Sequence, residues 1–425
     1  MNDKSFKKFL LLWSGELISA IGSGLTSFGL GVYAYKVTGN VSAMAVITLF
    51  AFLPGLLLNP IAGVLADRYD RRLLMILGDS LSAIGLIYIL VCMLKGGAAI
   101  WQICIGVTIS SVFSTLMDPA YKATVTDLLT EEEYSKASGL VQVAGSSKYL
   151  FSPIIAGFLL TVSDIKFLLI LDICTFFVTV LVTTFVRKGL ASKKTQSTCS
   201  FISQFKDGWQ AITENKGIFI LVILSSLLTF FMAFIQTLST PMILSFSKAS
   251  VLGVCETICG VGMLIASLII GIITIKKGYV KILTISLFLN GIFMALFGLR
   301  ENIILITIAG FLFFATLPFA NTCLDLLIRT NVKNELQGRV WGLIGLISQL
   351  GYVIAYAVVG PLADYVFTPM LVEGGVLADS VGKAIGVGTG RGTGLLIIIA
   401  GLLLSITALV LYGVKSVRRL DKNYA

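Results

Sequence analysis

Gly63-Val64-Leu65-Ala66-Asp67-Arg68-Tyr69-Asp70-Arg71-Arg72 is the stretch that decides the fold. Five of these ten residues are charged, and they separate two apolar runs, 41 to 66 and 73 to 94, each long enough to cross a bilayer. A turn so short and so charged between two such runs predicts a helical hairpin whose tip lies at a membrane surface. Outward from that hairpin the chain repeats the pattern. Of its 425 residues 56% are apolar and only 13% charged, outside the composition of a water-soluble domain. Backbone groups in lipid must be satisfied within a segment or around a closed barrel, and these runs lack strand alternation, so helices are expected rather than a β-barrel.

Twelve spans are expected, at 9 to 35, 41 to 66, 73 to 94, 101 to 123, 138 to 162 and 165 to 187, then 217 to 244, 249 to 275, 280 to 299, 302 to 327, 338 to 366 and 393 to 414. The first run is too long for a signal-peptide core and has no small-residue cleavage site, so it is expected to be retained. A weak internal repeat divides the chain. Gly63-Val-Leu-Ala-Asp-Arg after span two matches Gly271-Ile-Ile-Thr-Ile-Lys after span eight, and Pro119 with Asp127-Leu-Leu matches Pro318 with Asp325-Leu-Leu. The expected fold is therefore an all-α membrane protein of twelve transmembrane helices in two six-helix pseudo-symmetric bundles, residues 1–187 and 217–425. Such repeats place a substrate site where the halves meet. Between them, residues 188–216 carry Lys188, Lys193 and Lys194 and an amphipathic segment, Phe201 to Ile212, expected to lie along the membrane surface.

The net charge of +10 follows the topology rather than a nucleic-acid footprint. With both termini in the cytoplasm, the outer loops hold Lys36, Lys95, Lys166, Lys248, Arg300, Lys383 and Arg391. Apart from Lys148, which is intramembrane, all the others of the 32 Lys and Arg fall in inner segments, as the positive-inside rule requires of a bacterial-type plasma membrane protein. Anionic lipid is the expected partner of those loops. Cys255 and Cys259 share a helix face, yet the chain has no histidine, and neither a metal nor a cofactor is expected. Near Gly382-Lys383 the P-loop pattern fails at Leu377 and Ala384, so ATP is not the direct energy source and no enzyme activity is implied. The glycines at 386, 388, 390, 392 and 394 read as a flexible outer loop.

The charged turn resembles the loop between helices two and three of the major facilitator superfamily. From the first span to Arg419 the chain further resembles the macrolide-efflux branch of its drug:H⁺ antiporters. That likeness rests on Lys36, Thr38 and Gly39, on Phe52-Leu-Pro, Asp118-Pro-Ala and Ser152-Pro153, and on Gly338-Arg339-Val340. The segment from Thr368 to Thr393 is longer than that branch implies. What the resemblance implies is a monomeric secondary transporter that exports lipophilic or amphipathic compounds in exchange for protons. A proton-coupled nutrient importer and a lipid-moving or non-transporting membrane protein stay open as alternatives. It also implies a cytoplasmic gate built from Gly63, Asp67, Arg68, Arg71, Arg72, Asp127, Gly338 and Arg339. In it Asp67 meets the amides near Gly338 to Val340, and Arg71 or Arg72 pairs with Asp127. A helix N-terminus favours an anion by ~0.3 to 1 kcal/mol, which suits a latch. The plainer reading of Arg68, Arg71 and Arg72 is topogenic charge.

Charges inside spans cost ~2.5 to 3.5 kcal/mol each on insertion scales, so each needs a reason. Glu16 lies eight residues past Lys8, roughly 12 Å into helix one, and Lys148 ten residues past Ser138, roughly 15 Å into helix five. In the superfamily those helices are neighbours, so a Glu16 to Lys148 pair is expected, serving proton coupling, ligand binding or simply helix packing. Glu256 and Asp172 are further candidates, Asp172 also readable as a cross-helix hydrogen bond. Asp79 and Asp118 read as structural, near helix ends where snorkelling and Lys122 make a charge inexpensive. Phe28, Phe52, Phe234, Tyr352 and Tyr356 fall on the helices expected to line the cavity, where an amphipathic guest would fit.

Overall fold

The computed structural model describes residues 3–187, 201–273 and 277–422. Lys188, Lys193, Lys194 and Cys199, and likewise Ile275 and Lys276, lie outside the described residues. Among the described residues, twelve helices are long and apolar enough to cross a membrane. The first six spans are Ser5–Thr38, Val41–Ala66, Arg71–Leu94, Ile100–Leu128, Gly139–Val162 and Ile165–Val186. Spans seven to twelve are Lys216–Leu244, Ala249–Ile272, Tyr279–Gly298, Ile303–Asn331, Leu336–Leu371 and Thr389–Gly413.

Contacts group the chain into two compact units. Unit 1 holds Met1–Gly39, Val46–Thr198 and Ala249–Val254; unit 2 holds Asn40–Ala45, Cys199–Lys248 and Cys255–Ala425. In unit 1, spans three and four approach at Gly85 and Gly106, where a Cβ on Gly106 would stand 2.7 Å from the Gly85 carbonyl oxygen. Small residues at a crossing let two backbones close, which in lipid replaces a hydrophobic driving force. The Ser82 hydroxyl donates to the Ser110 carbonyl at 2.8 Å on the same seam. Span five breaks at Phe151 because Pro153 cannot donate to the preceding turn. There the Ser152 hydroxyl donates to the Ile21 carbonyl at 2.9 Å, tying the break to span one.

Unit 2 repeats the device with different residues. A Cβ on Gly401 of span twelve would lie 2.5 Å from the Gly291 oxygen of span nine, and Gly351 of span eleven packs against the Ser226 carbonyl of span seven. Two helix N-termini are capped from afar. Asp421 accepts from the N–H groups of Tyr279 and Val280, each at 3.2 Å. Asp364 accepts from Val41 and Ser42 at 2.9 and 2.7 Å. Asp364 sits in a widened π turn, Leu362–Phe367, that follows Pro361 and carries span eleven on to Leu371.

The helix Phe201–Glu214 packs on unit 2: Ile212 is fully buried, and Gly208 abuts the Arg339 carbonyl at the start of span eleven. One expectation needs correction. The segment expected to be a flexible outer loop is packed. Leu371, Ile385 and Leu395 form a buried cluster, the Gly388 amide donates to the Leu371 carbonyl at 2.9 Å, and span twelve starts at Thr389. Its glycines are there for fit: Gly386 and Gly388 hold φ of 102° and 150°, and Gly390 and Gly392 press on Ser245 and Thr368. Arg391, expected as a loop charge, is fully buried, and its Nη2 donates to the carbonyls of Gly298 and Leu299 at 2.7 and 3.0 Å.

Candidate functional site

The charged turn is organised by its second aspartate. Asp70 takes an extended conformation and its carboxylate accepts from the Arg72 amide at 3.1 Å, capping span three. That cap aims Arg71 across to span four, where Nη1 lies 2.8 Å from Asp127 Oδ1 and 3.4 Å from the Ala123 carbonyl. Of the two arginines considered for Asp127, Arg71 makes this pair; Arg72 is turned inward and buried. Arg68 is exposed, and a Cβ on Gly63 or Gly338 would meet nothing within 4 Å. Arg339 is exposed beside Gly338, with Val340 buried behind it. The side chain of Asp67 lies outside the described residues, and with it the expected contact near Gly338.

In the interior of unit 1 the expected Glu16 to Lys148 pair does not form. The Trp13 indole donates to the Leu140 carbonyl at 2.6 Å, and Gly24 abuts the Lys148 carbonyl. These contacts set the register of spans one and five and place Lys148 level with Gly24, eight residues or roughly 12 Å beyond Glu16. The depth reckoned from Ser138 misleads because the helix entering span five already runs from Glu131. The charge of Lys148 acts instead on Asp172. Asp172 is 1% exposed, and the hydroxyls of Ser23 and Thr175 approach its Oδ1 at 3.5 and 3.4 Å, so it does bridge helices one and six.

Glu16 is half-buried, with Oε2 lacking any hydrogen-bond partner among the described residues. The charges that reach it are Asp118 and Lys122, which pair with each other at 2.7 Å. Asp79 departs from the expectation of a snorkelling group. It is 1% exposed, it faces inward, and neither carboxylate oxygen has a partner among the described residues. Tyr121, unremarked in the sequence, is 3% exposed, and its hydroxyl has no hydrogen-bond partner among the described residues. The signal for it was available only in the three-residue spacing from Asp118, which a single sequence does not single out.

In unit 2, spans seven and eleven carry an aromatic wall. Tyr352 and Tyr356 stack at 5.8 Å, the Tyr356 hydroxyl donates to Gln236 Oε1 at 3.1 Å, and Phe234 lies 4.8 Å from Phe230. Gln236 is a further polar group that the apolar run concealed. Glu256 is half-buried with no hydrogen bond or ion pair among the described residues. Beside it the Cys255 sulfur takes the Thr307 hydroxyl at 3.4 Å. Phe28 and Phe52 are half-buried in unit 1.

Known proteins give the context for these groups. The chain is 25% identical over 362 residues to macrolide efflux protein A of Streptococcus pyogenes, covering 84% of this chain and 89% of that one. It is 26% identical over 345 residues to the Staphyloferrin A transporter of Staphylococcus aureus, covering 78% and 84%. Among solved structures, the nucleoside transporter NupG superposes with a TM-score of 0.75 at 14% identity, over 98% of this chain and 100% of that one, a likeness of fold. Residues 12–356 match the Major Facilitator Superfamily as a family. This chain is therefore a multi-pass membrane protein of the Major Facilitator Superfamily, a secondary transporter of small molecules and not an enzyme.

Proposed function

We propose that this transporter exports lipophilic or amphipathic compounds, macrolide-like molecules among them, in exchange for protons. It would act by alternating access, as a monomer in a bacterial cytoplasmic membrane with both termini inside. The observation that carries the direction and the substrate class is similarity to macrolide efflux protein A over most of both chains. Tyr352, Tyr356 and Phe234 are assigned to the substrate path, where rings beside the Gln236 amide would suit an amphipathic guest, although Tyr356 and Phe234 are only 5% exposed. Phe28 and Phe52 are candidate contacts in unit 1.

Proton coupling rests on carboxyls, since the chain has no histidine. Glu16 is assigned the proton, Asp172 and Lys148 are assigned as a separate coupling or substrate-binding group deeper in the first six spans, and Glu256 as a second acid on the substrate path. Gly63, Asp67, Arg68, Arg71, Arg72, Asp127, Gly338 and Arg339 are assigned to the cytoplasmic gate. The Arg71 to Asp127 pair supports that part by fixing the turn on span four. A second reading, proton-coupled uptake, is favoured by the similarity to the Staphyloferrin A transporter.

Radiolabelled erythromycin and membrane vesicles separate the two. Export predicts accumulation in everted vesicles when the lumen is made acid; uptake predicts accumulation only in right-side-out vesicles under the opposite gradient. Erythromycin indifferent to either gradient, with other amphipathic drugs equally indifferent, would remove the export reading.

A further inference from the structure

Span twelve ends at Gly413, and exposure tells which of its sides meets lipid. Leu402, Ile406, Leu409 and Val410 are large, apolar and exposed, at the spacing that lines one side of a helix. In a chain that crosses a membrane such a stripe faces acyl chains. Tyr412, also exposed, follows in the last turn, at the level where hydrocarbon gives way to headgroups and where tyrosine is favoured. The backbone then turns at Val414, and the C-terminal helix Lys415–Lys422 starts from that level.

One side of that helix is pinned to unit 2. Val417 and Leu420 are buried, the Ser416 carbonyl abuts Gly217 at the start of span seven, and Asn331 at the end of span ten donates to the Leu420 carbonyl at 3.3 Å. Asp421, the only acid on the helix, is committed to the amides of Tyr279 and Val280. The other side carries Lys415, Arg418 and Arg419, all exposed and within about 100° of one another around the helix axis. None of the three makes an ion pair among the described residues. Arg418 is folded back toward span twelve: its guanidinium carbon lies 5.8 Å from the centre of the Tyr412 ring, and Nη2 donates to the Gly413 carbonyl at 3.5 Å. A charge that serves only topology needs nothing but water. Here a docked helix returns a guanidinium to the end of a lipid-facing stripe.

A guanidinium offers phosphate a planar fork of donors, and an aromatic ring beneath it fixes the plane of that fork. Arg418 spends one long bond on the Gly413 carbonyl and keeps its other donors. We propose that this corner of unit 2 binds one anionic phospholipid, of the phosphatidylglycerol kind. Arg418 takes the phosphate, Lys415 and Arg419 hold the headgroup by charge, and the acyl chains lie along Leu409, Ile406 and Leu402. Dispersed basic loops draw any anionic surface toward them, but they hold no lipid in place. Ring, fork and apolar stripe converge here on a single headgroup position. The proposal is independent of what the transporter carries and in which direction.

Native mass spectrometry of the full chain in mild detergent, titrated with palmitoyl-oleoyl phosphatidylglycerol or with phosphatidylcholine of the same chains, tests it. Wild type should take its first phosphatidylglycerol about tenfold more tightly than phosphatidylcholine, and Arg418→Gln should weaken that binding about fivefold, the worth of one cation at an anionic surface. Arg418→Lys, which keeps the charge and loses the fork, should recover part of the loss. Replacing Lys415, Arg418 and Arg419 together by Gln should erase the preference between the two lipids. Replacing Lys95, Lys248 and Lys383 by Gln removes the same charge from exposed positions elsewhere and should leave it as in wild type. Phosphatidylglycerol should raise the melting temperature of wild type and of that control, but not of the Lys415, Arg418 and Arg419 variant. Should the latter fail to fold, the two Arg418 variants decide alone. Unchanged phosphatidylglycerol binding in Arg418→Gln and in the variant lacking all three cations would overturn the proposal. An equal loss in the control would reduce the effect to net charge and overturn it too. So would phosphatidylglycerol binding abolished by inorganic phosphate, which would mark a site for the free anion rather than for a lipid.

Discussion

In unit 2 the carboxylate of Asp364 takes two backbone N–H groups at the start of span two, at 2.9 and 2.7 Å, and Asp421 does the same for span nine. In unit 1 Asp79 is buried at 1% exposure and takes none among the described residues. A carboxylate at a helix N-terminus is held by free N–H groups and by the macrodipole, so its role is to cap and tie the helix. A carboxyl one helical turn past an apolar cluster has no such compensation. Two things separate the kinds: Asp364 and Asp421 are half-buried and have the backbone amides of another helix within reach, whereas Asp79 is almost wholly buried and has none among the described residues. Arg391 is a cationic counterpart of the first kind only in part: its Nη2 serves the last carbonyls of span nine, while its buried Nε and Nη1 have no partner among the described residues.

The comparison can be broken in order of effect. Arg391→Ala removes the donor to two helix-end carbonyls and the packing of the 362–393 segment, and should lower stability by about 1.5–3 kcal/mol, the range for hydrogen bonds made by a charged group. Thermal unfolding in detergent followed by size exclusion reads it. Asp364→Ala should cost about 1–2 kcal/mol and Asp364→Asn less, because an amide still accepts from Val41 or Ser42. Asp421→Ala, with longer bonds, should cost about 0.5–1 kcal/mol at the lower end of the same scale. Tyr356→Phe, which removes only the bond to Gln236, should cost about 0.6 kcal/mol, a typical interhelical hydrogen bond in a membrane. Asp79→Asn should change stability least in net terms, by less than Tyr356→Phe does, because no hydrogen bond among the described residues is lost. A melting loss for Asp79→Asn larger than that for Asp364→Ala would erase the distinction.

The twelve spans were legible because hydropathy over about 20 residues is a local property of the chain. The Asp70-Arg71-Arg72 turn was legible for the same reason: a cap and two charges act over one turn. What was not legible depends on register. Counting from a membrane edge places Lys148 opposite Glu16. The true register is set by Trp13 against Leu140 and by Gly24 against Lys148, contacts between helices more than a hundred residues apart in sequence. The same holds for the glycine-rich stretch. Gly390 and Gly392 look like flexibility in one dimension and prove to be the residues that fit beside Ser245 and Thr368. Nearness to a helix end makes Asp79 look like a snorkelling group, while nothing in the sequence singles out Asp364, near the other end of a span. Their roles follow from which backbone amides come within reach, and that is decided by helices elsewhere in the chain.

The most direct test of proton-coupled export is the fate of radiolabelled erythromycin in everted vesicles with an acid lumen, comparing wild type with Glu16→Gln. Wild type should accumulate the drug and Glu16→Gln should not, although it still exchanges labelled for unlabelled erythromycin across the membrane. Accumulation by Glu16→Gln equal to wild type would contradict the account.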